Sequence, residues 1–521
     1  MESFATTVAL IGIVIVVASL LSGVLEKSGF PVVAVFLALG AILGPFGLDY
    51  VDIGFESPAL HALAMLGLAL LLFSDAVTLD LKAVREQKPL LWRLLGPGTI
   101  IPAALVTIAA RFLLDVSWPA AAILGAALAS TDPVLLRSML RAKSFPAVPR
   151  TALRIETGVN DVVLLPVVVL SIFVMKGSAD GTGVSGTEVT RSVIGLFLLG
   201  PGLGALVGWV GIIMLEQIRS RVGVRRDYES LYALGLAFTG FALAEEVGGS
   251  GFLAAFAAGL MVASQDVELC DCFLEYGEAT AEMLLLLTFV ALGTSLIWTG
   301  ITVISFSTIV FAVIALIART VVLYPVLTAG HVTGRDRRLI AFFGARGLST
   351  LLLTLLPVFA GVAGSQELFS VACLVVLMSV VLHGGGIAIF LRKNASKAAS
   401  AVPTPSGSPA VSAGTATAVA SPDVTPVQLD RGQKRSALPL AEEPVDTPSD
   451  AAVGKTITID ELKQLQASGE EVVIVDSRAD RNRNGSDTQA AGSVRIHPDD
   501  PVRDATETRL SQRATLVVYC A

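Results

Sequence analysis

Between residues 4 and 391 the chain is a near-continuous succession of apolar segments, most of them long enough to cross a bilayer, and this decides its fold class. A spanning helix needs about 20 predominantly apolar residues. About thirteen segments fit, at 4–25, 31–47, 58–79, 90–114, 119–140, 149–175, 192–215, 228–246, 251–264, 281–299, 302–329, 337–362 and 367–391. The ninth is short and is expected to tilt or to pack in the interior. In lipid each backbone N–H and C=O must be satisfied within its own segment, so the expected architecture is an all-α polytopic membrane protein. Only 16% of the residues are charged, against about 25% in soluble domains. No basic stripe with interleaved aromatics occurs, so the expected partner is the lipid bilayer and not nucleic acid.

The N-terminus, MESFATTVALIGIVIVVASLLSGVL, lacks a basic lead and a small-residue cleavage site, and reads as a retained first helix. Positive charge sorts the connections. One set holds Lys82, Arg85, Lys88 and Arg93, then Arg141, Lys143, Arg150 and Arg154, then Arg219, Arg221, Arg225 and Arg226, then Arg335, Arg337 and Arg338. Arg392 and Lys393 follow the last span. With thirteen spans the N-terminus lies outside and the tail in the cytoplasm of a bacterial-type inner membrane. The acidic loop 265–280 runs against this parity, but acidic residues weigh little in topology.

Of the four cysteines, Cys373 lies in an apolar run, and Cys270 and Cys272 flank Asp271 with no histidine nearby. The latter pair reads as loop thiols, not a metal site. No cofactor is expected. Residues 394–452 turn to Pro, Ser, Ala and Thr without an apolar period, which is linker composition. From 453 to 521 a soluble α/β pattern follows: ITIDELKQLQASG as a capped helix, EVVIVDSRAD as a buried strand and loop, and ATLVVYC as a second buried strand. The chain therefore divides into a membrane domain at 1–393, a linker and a short C-terminal domain.

Charges deep in apolar spans are expensive and mark function by default. In the fifth segment Ser130-Thr131-Asp132-Pro133 places a carboxylate beside a proline that obstructs a continuous helix. A broken helix frees carbonyls to coordinate a cation. In the sixth segment Thr157 and Asp161 stand four residues apart on one helix face, with Glu156 and Asn160 on the adjacent face. A hydroxyl and a carboxylate directed at one point suit a dehydrated alkali cation, and the carboxylate can release that cation by taking a proton. Arg346, between glycines in the twelfth segment, cannot face lipid and needs a buried anion; Glu156 is the expected partner, and the pair is expected to be structural. Asp75 closes the third segment as either an access funnel or an interfacial residue. His61, His331 and His383 lie at or near span ends and read as interface residues.

These motifs, in the fifth, sixth and twelfth of thirteen spans, resemble the cation/proton antiporters in their NhaP/NHE branch, over about residues 5–392. The resemblance implies two inverted repeats with broken helices crossing near the midplane, a homodimer, and elevator-like motion of the core. It implies that Na+ or another monovalent cation and H+ compete for Asp161, with Asp132, Thr131 and Thr157 completing the cation site, Na+ being held at Asp161 and Asp132. Glu156 and Arg346 match a buried ion pair, with Asn160 beside it. Asn160, where the electrogenic branch has Asp, implies electroneutral exchange. Thr157 stands where Ser is more usual. The tail segments DSRAD, AGSVRIHPDDPV and LVVYC resemble the first half of a rhodanese domain, with Cys520 at the position of the persulfide-forming cysteine. The anion-cradling loop that follows it in that family is not encoded, so no sulfurtransferase activity is expected, and the chain is read as a secondary transporter and not an enzyme. The competing readings are a membrane-anchored sulfurtransferase or sensor, and a proton-coupled solute symporter. A mere anchor has no need of Asp132 and Asp161.

Overall fold

The computed structural model describes residues 12–17, 20, 32–79, 81, 84, 87–141, 145–179, 186–221, 226–265, 271–328 and 332–389 and, towards the C-terminus, 462, 465, 472–477, 490, 492–496, 508 and 514–519. The chain forms two compact units, Met1–Ala410 and Val411–Ala521.

The first unit is helical. Its described helices run α1 (Val32–Leu43), α2 (Pro58–Val77), α3 (Lys88–Leu95), α4 (Pro97–Leu113), α5 (Trp118–Ala129), α6 (Pro133–Arg141), α7 (Ala147–Ala179), α8 (Gly186–Ile194), α9 (Gly200–Arg221), α10 (Arg226–Glu246), α11 (Gly251–Ser264), α12 (Asp271–Thr294), the single turn α13 (Thr299–Thr302), α14 (Phe306–Thr328), α15 (Gly334–Phe342), α16 (Leu348–Phe359) and α17 (Ser365–Ser379). A π-helical turn, Val380–Gly384, extends α17. Among the described residues seven helical stretches are long and apolar enough to cross a membrane, or eight if the pair Ala279–Thr294 and Leu296–Thr302, bent by 59°, is one span. Most of the expected first span lies outside the described residues. The short ninth segment is α11, fourteen residues long, packed against α2, α9 and α10. The outer surface keeps large apolar side chains such as Phe112, Phe306 and Val381 exposed, the surface that a hydrocarbon solvent requires.

Two of the helix breaks among the described residues meet. The first break separates α5 from α6 at residues 130–132. Pro133 has no N–H to donate to a turn of α5, but it fits the first position of a new helix, where that donor would be orphaned anyway. The second break, residues 343–347, separates α15 from α16. The backbone N–H of Asp132 donates to the Ala345 carbonyl at 2.9 Å, which pins one break to the other. Across both runs α7, a 33-residue helix in contact with α5 and α16.

In the second unit three strands form a parallel sheet in the order β2-β1-β3: β1 (Val472–Asp476), β2 (Val494–Arg495) and β3 (Thr515–Tyr519). The two apolar runs expected as buried strands are β1 and β3, paired from Val472↔Thr515 to Asp476↔Tyr519, but β3 is not buried, its Leu516 and Val518 being exposed at the edge of the sheet. Cys520 lies outside the described residues.

Candidate functional site: the crossing of two broken helices

A helix interrupted in the membrane exposes two ends, so the two breaks expose four, and each is answered by a named group. The N-termini of α6 and α16 meet at Asp132. Its Oδ1 accepts from the Val134 N–H at 2.9 Å and its Oδ2 from the Leu348 N–H at 2.8 Å. Each helix N-terminus acts as roughly half a positive charge, so two of them offset one carboxylate. The C-terminal carbonyls of α5 are met by Arg346, whose Nη1 donates to Ala129 O and Ser130 O at 2.8 Å each. The last carbonyls of α15 are met by Arg319 of α14, whose Nη1 donates to Ile340 O at 2.8 Å and Ala341 O at 2.9 Å.

The glycines flanking Arg346 make this possible. A Cβ on Gly347 would collide with the Asp132 carboxylate, and one on Gly344 would overlap the Arg319 guanidinium at 2.6 Å from Nη1. Glycine is the residue that lets charged groups come this close to backbone.

Helix α7 brings up the remaining candidates. Asp161 accepts a hydrogen bond from the Ser130 hydroxyl, and the Ser349 hydroxyl and Asp132 carboxylate are its further polar neighbours. Asn160 donates from Nδ2 to Thr131 Oγ1 at 2.6 Å, tying α7 to the first break. Thr157 donates its hydroxyl hydrogen to the Arg154 carbonyl at 3.1 Å, which leaves its oxygen lone pairs for another partner. Thr131, Asp132, Thr157, Asn160 and Asp161 are all buried. So are Asn160 Oδ1, Ser349 Oγ and Thr350 Oγ1, which have no hydrogen-bond partner among the described residues.

The expected Glu156–Arg346 pair is not formed. Glu156 is bound by Arg319: Nε donates to Oε1 at 2.9 Å and Nη2 to Oε2 at 2.6 Å. This is the planar fork-to-fork geometry that makes arginine the choice for a buried carboxylate. Arg346 instead spends its donors on the carbonyls of the first break, so a helix end, not a carboxylate, is the anion it needed. Arg319 escaped the sequence reading although the signal was present, a lone arginine in the apolar run TIVFAVIALIARTVVLYPVLT. His383 is a second correction. It is buried, and its Nδ1 shares a hydrogen bond of 3.0 Å with Ser379 Oγ, which in turn accepts from the Arg346 N–H at 2.8 Å. It thus supports the second break from within. His61 is exposed and stacks on Phe359 with ring centroids 4.4 Å apart, while His331 lies outside the described residues. Asp75, half-buried on α2, sits against Gly158 of α7, 3.6 Å from where a Cβ there would stand. That places it on the flank of the helix that carries Asp161.

With this geometry in place, comparison with known proteins is decisive. The family described as "Sodium/hydrogen exchanger, transmembrane" matches residues 12–393. The chain belongs to the sodium/hydrogen exchanger family. Curated relatives include the K(+)/H(+) antiporter NhaP2 of Shewanella sp. (strain MR-4), 27% identical over 391 residues, which cover 72% of this chain and 65% of the relative. The K(+)/H(+) antiporter NhaP of Alkalimonas amylolytica is 25% identical over 396 residues, 75% of this chain and 67% of that one. The Na(+)/H(+) antiporter NhaS2 of Synechocystis sp. (strain ATCC 27184 / PCC 6803 / Kazusa) is 26% identical over 197 residues, 37% of this chain and 34% of that one. The chain thus spans 65% of the length of the NhaP2 relative. In fold it resembles the sodium proton antiporter MjNhaP1 of Methanocaldococcus jannaschii, with a TM-score of 0.58 at 19% identity, over 74% of this chain and all of that one. The broken, crossing helices therefore belong to a known exchanger fold.

Proposed function

We propose that this exchanger-family chain swaps one monovalent cation for one proton, and that the two compete for Asp161. The observation that carries the reading is a charge balance. Among the buried carboxylates at the crossing, Glu156 has Arg319 and Asp132 has two helix N-termini. Asp161 has the Ser130 hydroxyl bonded to it, the Ser349 hydroxyl nearby and no cationic side chain bonded to it among the described residues. A buried carboxylate is expensive without a compensating positive charge, so its counter-charge must come from outside as a cation or a proton.

Asp132, Thr131 and Thr157 supply further oxygens, and Asn160 holds Thr131 in place. Either occupant neutralises the site with one unit of charge, whereas the empty site carries an uncompensated charge that opposes passage through an apolar seal. Transit only in the occupied forms couples the two fluxes and makes the exchange electroneutral. The homodimer, the elevator-like motion, the inverted repeats and a total of about thirteen spans belong to this proposal. So do an inner-membrane location, an outward N-terminus and a cytoplasmic tail, the last two supported by the arginine-rich connections. The rhodanese-like reading of the tail rests on its motifs and on the parallel strands β1 and β3.

Sodium is the first candidate cation, and the K(+)/H(+) antiporter relatives make potassium the second. The test is a pulse of sodium or potassium applied to vesicles carrying the protein and a trapped pH dye. A cation-driven change of internal pH, insensitive to an imposed membrane potential, is expected. An absent response to every alkali cation rules the reading out.

A further inference from the structure

At the arginine-bearing end of α14 and α15 the surface holds a groove of about 550 Å³. Thr320 and Tyr324 of α14 form one wall, Phe342 of α15 and Ile389 beyond α17 the other, and Arg335 and Arg338 stand on its rim. Two membrane-crossing stretches, Phe306–Thr328 and Ser365–Ile389, finish at this level, which puts the groove at the boundary between hydrocarbon and water. Tyr324, Phe342 and Ile389 are 43%, 40% and 66% exposed.

The charges here are sorted. Arg337 is engaged: its guanidinium lies 4.5 Å from the Tyr324 ring centroid and donates to Thr328 Oγ1 at 2.8 Å. Asp336 is engaged as well, accepting from the Thr333 hydroxyl at 2.8 Å. Arg335 and Arg338 are exposed, and Arg338 donates Nε only to the Gly334 carbonyl of its own helix, at 3.2 Å. Neither has a carboxylate partner among the described residues. Two uncompensated guanidinium groups thus overhang an apolar trough at headgroup depth.

We propose that this groove seats an anionic phospholipid, with an acyl chain along Phe342 and Ile389 and the headgroup phosphate on Arg335 and Arg338. The charge decides the occupant. A neutral lipid or an apolar face of a second copy would leave both arginines without a counter-ion, whereas a phosphodiester matches their fork geometry. The site is placed to affect the crossing. Phe342 ends the half-helix whose last carbonyls Arg319 holds, and its ring lies 5.7 Å from His383, which bears through Ser379 on the Arg346 backbone.

The experiment is electron paramagnetic resonance on the full chain in phosphatidylcholine vesicles, with spin-labelled phosphatidylglycerol or spin-labelled phosphatidylcholine as probe. An immobilised fraction several-fold larger for phosphatidylglycerol is expected in the wild type. It should fall to the phosphatidylcholine level in Arg335→Gln/Arg338→Gln and persist in Arg335→Lys/Arg338→Lys. Gly386→Leu fills the groove from the side where a Cβ would stand 3.3 Å from the Phe342 ring, and should reduce immobilisation while leaving both arginines in place. Equal immobilisation of the two probes in the wild type overturns the proposal. So does a phosphatidylglycerol preference unchanged in the glutamine pair, or one abolished equally by inorganic phosphate, which would mark a bare anion site. Cross-linking between copies through Phe342 and Ile389 positions would also overturn it, by making the groove a subunit interface. Because the readout is lipid binding, it stands or falls independently of cation exchange.

Discussion

Glu156 and Asp161 stand five residues apart on α7, both buried, at 2% and 3% exposure. One is gripped by Nε and Nη2 of Arg319; the other receives the Ser130 hydroxyl. The same helix therefore carries a carboxylate with a permanent counter-charge and a carboxylate with no cationic side chain bonded to it among the described residues, and the proposed exchange rests on that difference. The difference lies in which neighbour each faces. Glu156 faces α14, an unbroken helix that can carry a long side chain inward. Asp161 faces the break, where helix ends supply only partial charges and hydroxyls.

The sharpest way to break this contrast is to remove the ability of Asp161 to titrate. Asp161→Asn keeps the shape and the partner of Ser130 but holds neither a proton nor a cation by charge. Cation-dependent proton flux in vesicles should vanish, with the variant folding as the wild type does. Near-normal exchange by a well-folded Asp161→Asn would reduce the crossing to architecture.

The complementary test addresses the permanent pair. Glu156→Ala or Arg319→Ala leaves one buried charge uncompensated, which costs about 3–5 kcal/mol of stability. The double variant should be less destabilised than the sum of the singles. Strict additivity in thermal or denaturant unfolding would deny the contact. Arg346→Ala combined with Glu156→Ala should come much closer to additive, because Arg346 serves the carbonyls of Ala129 and Ser130 instead.

If proton and cation share Asp161, apparent cation affinity must weaken as pH falls. The sign follows from competition: protonation removes the form that binds the cation. In the limit where the carboxyl is mostly protonated, the apparent KM for the cation should rise about tenfold per pH unit, by mass action. At high pH few protons remain to be carried back. The rate should pass through a maximum, measured as initial flux against pH at fixed cation. An apparent KM independent of pH would separate the two sites.

Much of this crossing was legible in the sequence, because the cost of charge in lipid singles out residues one at a time. Asp132 beside Pro133, and Asp161 one turn from Thr157, declare a break and a polar face without any coordinates. The pairings were less legible. Which arginine meets Glu156 depends on how α14 lies against α7, and sequence distance carries no signal of that: 163 residues separate Glu156 from Arg319. The glycines around Arg346 announced close approach, but not that one makes room for Asp132 and the other for Arg319. His383, read as interfacial from its place near a span end, is buried within a π-helical turn, Val380–Gly384. A local bulge of that kind leaves no trace in hydrophobic periodicity.

The mildest change sharpens the contrast most finely, since it alters what Asp161 has in place of an arginine. The Ser130 carbonyl accepts from Arg346, which fixes the backbone that presents its hydroxyl to Asp161. In Ser130→Ala the carboxylate loses a donor and the cation loses an oxygen ligand, while the helix break remains. A hydrogen bond to a charged group is worth about 1.5–3 kcal/mol, but water entering the vacated space would recover part of that. A net loss near 1.4 kcal/mol corresponds to about tenfold in affinity. The apparent KM for the cation should therefore rise by up to about tenfold, with kcat and melting temperature close to wild type. Ser130→Thr, which keeps the hydroxyl, should restore most of the affinity. A purely structural Ser130 would lower the melting temperature and leave KM unmoved, and the cation would then be held by α7 without help from the break.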